Sequence, residues 1–320
     1  MAEKPKVALY WAASCGGCEI SVLEIWEKLL DLAAAVDIVF WPVAIDAKYH
    51  HVEAMEDKSI DLCLFNGAIR TAENEHMARL LRRKSKVLVA YGSCSHMGGI
   101  PSLSNLYPRQ ETLNRAFLES ESTDNPEKVI PRTKSDVPEG ELELPEFYER
   151  VASLDQVVEV DYYVPGCPPT GEQTWNVLAA VLEAKLPAPG SVVGVNPKTV
   201  CDECDKKKQE KRVSRFFRPH EINPDPEVCL LEQGIICMGP ATRAGCGGQC
   251  VSVNMPCRGC YGPPEGVVDQ GAKMLSAVAS IIDSNDPEEI ARIMQTIPDP
   301  AGTFYRFSMS HSLLRGAKSK

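Results

Sequence analysis

The stretch from Cys229 to Cys260, CLLEQGIICMGPATRAGCGGQCVSVNMPCRGC, limits what this chain can fold into more than any other part of it. Six cysteines fall inside it: Cys229, Cys237, Cys246, Cys250, Cys257 and Cys260. Cys201 and Cys204 lie just upstream, so eight thiols occupy about sixty residues, far more than packing needs. Thiolate is the ligand of iron–sulfur clusters, four to a [4Fe–4S] cube, and eight divides into two cubes. Glycines among the cysteines let a backbone close around an inorganic group. Two plainer readings compete. Cys201-x-x-Cys204 with Cys257-x-x-Cys260 has the spacing of a zinc ribbon, which leaves four neighbouring cysteines unexplained. Disulfides are the other, and they belong to oxidising compartments.

The bulk numbers favour metal. A chain of 320 residues has room for one large domain or two modest ones. Its net charge of −10 argues against a nucleic-acid binder, which carries a basic face. No apolar run reaches the length of a membrane span. The N-terminus, MAEKPKVALYWAAS, enters a strand almost at once and shows neither an export signal nor a twin-arginine pair. The expected location is therefore the cytoplasm, where thiols stay reduced and thirteen cysteines point to metal.

Read in order, the chain alternates strands and helices. Strands are expected at Lys6–Trp11, Val36–Trp41, Asp61–Phe65, Lys86–Tyr91 and Val157–Val164. Helices are expected from Glu19 to Ala35, from Thr71 to Arg83, and from Gly171 to Leu186 behind the capping-box form Thr170-x-x-Gln173. That alternation predicts an α/β fold, a flavodoxin-like, mostly parallel sheet covered on both faces. It spans 1–190, with a Pro- and acid-rich insertion over about 106–150 that reads as solvated loop in the first place, and as a cover for a partner surface in the second. Beyond Pro187-Ala188-Pro189-Gly190, residues 191–320 read as a loop-rich iron–sulfur domain that depends on its metal for folding. Its helices are expected near Val267–Asp283 and from Asp286-Pro287 onward, and Pro298 to Lys320 shows no pattern.

Three more cysteine loops sit on the sheet. Cys15 and Cys18 follow the first strand, Cys94 follows the strand ending at Tyr91, and Cys167 follows the one ending at Val164. Ligands of open α/β sheets bind beyond the carboxyl ends of the strands, so these loops should meet there as a four-thiolate set. Glu19, next to Cys18 at a helix start, suits that position as an acid, and proton transfer beside a redox centre is its sharper reading. Cys63 alternates within a strand and reads as an inert core thiol. His50, His51 and His76 read as surface or structural residues. His96 suits either a hydrogen bond to cluster sulfur or packing, and His220 is not needed beside eight thiols. The basic run from Lys206-Lys207-Lys208 to Arg218 reads as a solvated face, or as one that raises a cluster's potential or docks an acidic partner.

Together these motifs resemble the small subunit of a nickel–iron hydrogenase, over nearly the whole chain. Cys15-Gly-Gly-Cys18-Glu19, Gly-Ser-Cys94, Pro-Gly-Cys167-Pro-Pro, Gly-Pro-Ala-Thr and Pro-Cys257-Arg-Gly-Cys260 carry the resemblance. It is most similar to the methyl-viologen-reducing type that works with heterodisulfide reductase. The resemblance implies three [4Fe–4S] clusters: a proximal one on Cys15, Cys18, Cys94 and Cys167, a medial one on Cys246, Cys250, Cys257 and Cys260, and a distal one on Cys201, Cys204, Cys229 and Cys237. Many periplasmic relatives place a histidine at the first distal position and lack the second medial cysteine; here Cys201 and Cys250 fill both. Also implied are a nickel–iron centre in a separate large subunit, a small [2Fe–2S] subunit, a flavin-containing heterodisulfide reductase complex, and a place for Glu19 near a proton exit route. The adjacent cysteines of the related complex I subunit and the ferredoxin-type tail of deazaflavin-reducing hydrogenases are both missing. An electron-transfer subunit of a different, non-nickel redox complex remains the alternative.

Overall fold

The computed structural model describes residues 4–183, 185–209 and 212–316. Ala184 of the helix expected to reach Leu186, Lys211 of the basic run, and the last four residues lie outside them. Five parallel strands form the centre: β1 (Lys6–Trp11), β2 (Asp37–Phe40), β3 (Ile60–Asn66), β4 (Ser85–Tyr91) and β5 (Tyr162–Val164). Their order, 2-1-3-4-5, is the flavodoxin-like one. Side chains alternate between two buried faces. Val7, Leu9, Leu62, Leu64, Val89 and Tyr91 enter one core, while Ala8, Tyr10, Cys63, Phe65, Leu88 and Ala90 enter the other. Burial on both faces is why these strands read as unbroken apolar runs.

Helices cover each face. α1 (Gly17–Leu23) and α2 (Lys28–Ala35) give Val22 and Leu32 to the first core. α3 (Ala72–Lys84) gives Met77, Leu80 and Leu81 to the second, starting from Thr71, whose hydroxyl accepts the Asn74 N–H at 3.2 Å. The short α4 (Ser93–Met97) follows β4, and α5 (Gly171–Leu182) adds Val177 and Leu178 to the first face.

The structure departs from expectation in three places. The helix expected from Glu19 to Ala35 is broken into α1 and α2, with Trp26 between them at φ 57°. The cause is close packing: a Cβ on Gly171, at the start of α5, would stand 2.3 Å from the Glu24 carbonyl oxygen, so α1 ends against α5 and the chain turns. The strand expected over Val157–Val164 pairs only from Tyr162, because a 3-10 turn at Leu154–Gln156 precedes it. There the Asp161 carboxylate, rather than backbone, accepts the Leu88 N–H at 2.7 Å and binds Arg82 at 2.5 Å. The 106–150 insertion holds more structure than a loop. It forms a helix at Arg109–Phe117, an exposed hairpin of Lys134–Val137 with Gly140–Glu143, and a strand, Phe147–Ala152, paired with Ile69–Thr71. A hairpin exposed on both faces leaves no apolar period to read.

The C-terminal region builds its own core from loops plus α6 (Gln270–Ala279) and α7 (Pro287–Gln295), with Asp286 capping α7 through the Glu288 N–H at 3.0 Å. Phe216, Leu230, Ile235, Met274, Val278 and Phe304 fill it, and Cys237 and Cys257 are part of the same core. Among the described residues no helix is long and apolar enough to cross a membrane. Removing the α3 cap by Thr71→Ala should cost about 1 kcal/mol, read as a lower melting temperature with unchanged circular dichroism before the transition.

Candidate metal centres

The first centre lies where the strands end. Cys15 and Cys18 come from the turn after β1 and the start of α1, Cys94 from α4 directly after β4, and Cys167 from the loop after β5. These loops are tied to one another. Gly92 N–H donates to Val164 O at 2.8 Å, and Ser93 N–H donates to Gly166 O at 2.8 Å. Position 92 must be glycine. A Cβ there would stand 2.3 Å from Cys18 Sγ, at a backbone φ of 85°. Each of the four thiols lies within electrostatic reach of the others. Burial, then the neighbouring thiols, push Cys94 up to about 12 and Cys18 well above its usual range.

Two further sets lie in the C-terminal region. Cys201, Cys204, Cys229 and Cys237 line one cavity of about 270 Å³. Cys246, Cys250 and Cys260 line a groove of about 700 Å³ that they share with Cys167. Cys257 stands beside Cys260 and Cys237 electrostatically. The sets adjoin in series. Cys167 and Cys260 line the same groove, and Cys257 N–H donates to Cys237 Sγ at 3.3 Å. Burial raises Cys237 and Cys260 to about 12 and Cys201 to about 11, with neighbouring thiols adding to it. Burial and crowding disfavour thiolate at these buried sulfurs until cations compensate the charge, the donor chemistry of a polynuclear iron site.

The zinc-ribbon arrangement is not assembled. Cys201 and Cys204 share their cavity with Cys229 and Cys237, whereas Cys260 faces Cys167, Cys246 and Cys250. Among the described residues no three His, Cys, Asp or Glu side chains converge on a single-ion site.

Glu19 is buried in the first turn of α1. The Trp41 indole N–H donates to one of its oxygens and Asn66 Nδ2 to the other at 3.4 Å. Burial raises its pKa, and these two donors pull the other way. His96 takes the packing role: its ring lies 4.8 Å from that of Tyr163 and 6.4 Å from that of His311. His50, His51, His76 and His220 are at least partly exposed, and Cys63 is fully buried in β3, where burial pushes it up to about 12. Two contributors have no signal in residue type alone. Ser93 also donates to Cys260 O at 2.5 Å, joining the first set to the C-terminal region. Glu203, between Cys201 and Cys204, accepts the Gly245 N–H at 2.7 Å; its place inside the Cys-x-x-Cys pair was the available cue.

Known proteins show the same pattern. Residues 15–181 match the family described as NADH ubiquinone oxidoreductase, 20 Kd subunit. The chain is 42% identical over 316 residues to the iron-sulfur subunit of the F420-non-reducing hydrogenase of Archaeoglobus profundus, covering 97% of each. It is 38% identical over 322 residues to the corresponding F420-non-reducing hydrogenase subunit of Methanothermobacter marburgensis, covering 98% of this chain and 97% of that one. A chain in the structure of an NAD+-reducing [NiFe]-hydrogenase in the H2-reduced state aligns with a TM-score of 0.50 and 33% identity, over 58% of this chain and 94% of that one. The [NiFeSe]-hydrogenase of Dm. baculatum shares the fold, with a TM-score of 0.51 at 19% identity, over 83% of this chain and 96% of its own. The fold is that of a nickel–iron hydrogenase small subunit, part of an oxidoreductase. Within that class the chain belongs to the family of iron–sulfur subunits of the F420-non-reducing hydrogenases.

His96 gives this region a pH dependence. Burial, reinforced by Arg243 and His311, lowers its pKa to about 3. The unfolded chain therefore binds the extra proton first, from about pH 6.5 downward, and stability present above that value is lost as pH falls toward 3. From pH 7 to 5 the protein should lose roughly 2 kcal/mol through this residue. Chemical denaturation of His96→Gln beside the parent should show a correspondingly shallower acid dependence.

Proposed function

We propose that the twelve cysteines hold three [4Fe–4S] clusters, the proximal on Cys15, Cys18, Cys94 and Cys167, the medial on Cys246, Cys250, Cys257 and Cys260, and the distal on Cys201, Cys204, Cys229 and Cys237. The subunit carries electrons between the nickel–iron site of a hydrogenase large subunit and an acceptor, a small [2Fe–2S] subunit that feeds flavin-containing heterodisulfide reductase in the cytoplasm. The observation behind this reading is the serial arrangement of the three thiol sets, Cys167 sharing a groove with Cys246, Cys250 and Cys260, and Cys257 N–H donating to Cys237 sulfur. When bound, the clusters supply one-electron redox chemistry.

The chain's own residues set the conditions for that chemistry. Residues up to 190 present the proximal thiols from a rigid sheet edge, and residues beyond 190 enclose the other two sets. The backbone N–H of Cys257, donating to Cys237 Sγ, favours that thiolate. Apolar burial around Cys237 and Cys257 excludes water. Ile20 and Leu23 lie three residues apart on α1 and are exposed beside the proximal loop, together with Trp11. That apolar face suits the large subunit. Glu19 is read as the group that holds a proton there: burial favours its neutral form, while the Trp41 and Asn66 donors orient the carboxyl and favour its ionised form.

The test is anaerobic purification of the complex, with iron, nickel and acid-labile sulfide counted per copy of this chain. About twelve irons on this chain are expected, four for each cube, with nickel in the partner and the visible spectrum bleaching under hydrogen. Iron without nickel and without a response to hydrogen would place the wire in another redox complex. Zinc in a colourless protein would overturn the reading. Cys167→Ser should lose about four irons and abolish hydrogen-driven viologen reduction while the large subunit still exchanges hydrogen isotopes. Glu19→Gln should keep its iron, and should slow that isotope exchange if the proton role holds.

A further inference from the structure

Glu203 belongs by sequence to one thiol set and by contact to another. It stands between Cys201 and Cys204, yet one carboxylate oxygen lies 4.0 Å from Cys246 Sγ. The carboxylate is clamped there, accepting the Gly245 N–H at 2.7 Å on one oxygen and the Gly248 N–H at 3.2 Å on the other. The Cys201 set has more cation than anion beside it: Lys206 and Lys208 line its cavity against the carboxylate of Glu232, which accepts the Gln209 N–H, and Lys206 Nζ is fixed by Pro226 O at 2.6 Å and Asn254 Oδ1 at 2.9 Å.

Charge beside a redox site sets where an added electron rests. A fixed anion raises the energy of the reduced state, and a cation lowers it; for an iron–sulfur site this adds to burial and hydrogen bonding at sulfur. We infer that Glu203 is a potential-setting residue of the Cys246 site, holding its reduction potential below that of the lysine-lined Cys201 site, so that an electron rests more stably at the outer of the two. The inference depends on the cluster assignment proposed above. A carboxylate that only ties two loops together would leave the potentials unchanged, which makes the two roles separable.

The measurement is an EPR-monitored redox titration of the whole hydrogenase complex, parent and Glu203→Gln, with iron counted in each. Glutamine keeps a carbonyl acceptor for Gly245 and removes the charge. The expected result is full iron content, an upward shift of the Cys246-site midpoint, and the proximal midpoint unmoved. Full iron with an unmoved midpoint would overturn the inference and leave Glu203 as a tie. Should Glu203→Gln lose iron, Lys208→Gln decides instead: a downward shift of the Cys201-site midpoint that shrinks with added salt supports the charge asymmetry, and no shift rejects it. A parent complex with fewer than three clusters would defeat the assignment itself, and the iron count separates that outcome from the others.

Discussion

Sulfurs that would repel one another as thiolates are gathered here in three groups, and burial drives Cys94, Cys237 and Cys260 up to about 12. Without cations these buried sulfurs resist becoming thiolates; with cations the same crowding becomes a binding site. Much of the surrounding structure follows from that requirement. The loops after β1, β4 and β5 are short and tied by Gly92 and Ser93, because four sulfurs from distant parts of the chain must meet within one small volume. The parallel sheet supplies what loops alone cannot, a rigid row of strand ends at fixed spacing.

The same logic explains how the two halves of the chain are joined. Ser93 donates its N–H to Gly166 O and its hydroxyl to Cys260 O, so one residue fixes the relation between sheet loops and C-terminal loops. Tyr261 reaches from its place beside Cys260 to Gln173 Oε1 at 2.7 Å, on the first turn of α5. Beneath these, Ser21, Tyr91 and Thr174 form a buried hydroxyl network, with Ser21 donating to Pro169 O at 2.7 Å. Polar groups that deep must be satisfied, and here each satisfies another while bracing the loop that carries Cys167.

The sheet was legible because its strands are short apolar runs separated by amphipathic helices, and the cysteines were legible because so many at such spacing have few other uses. The grouping of the C-terminal thiols was open to two readings on spacing alone, and chain folding decides which cysteine faces which. The α1–α2 break was hidden because Val22, Ile25, Leu29 and Leu32 keep helical spacing through it, while the cause, Gly171 against Glu24, is remote in sequence. The 106–150 hairpin was hidden for the opposite reason, since neither of its faces is buried. Glu203 shows the same limit: its partners Gly245 and Gly248 lie more than forty residues away.

Cys237 and Cys257 belong to the apolar core of the C-terminal region and are only 8% and 7% exposed. Cys237 nevertheless lines the cavity that it shares with Cys201, Cys204 and Cys229, which are partly exposed. The four thiols of that set therefore meet solvent unequally, and whatever reaches Cys237 through the cavity passes its three partners first.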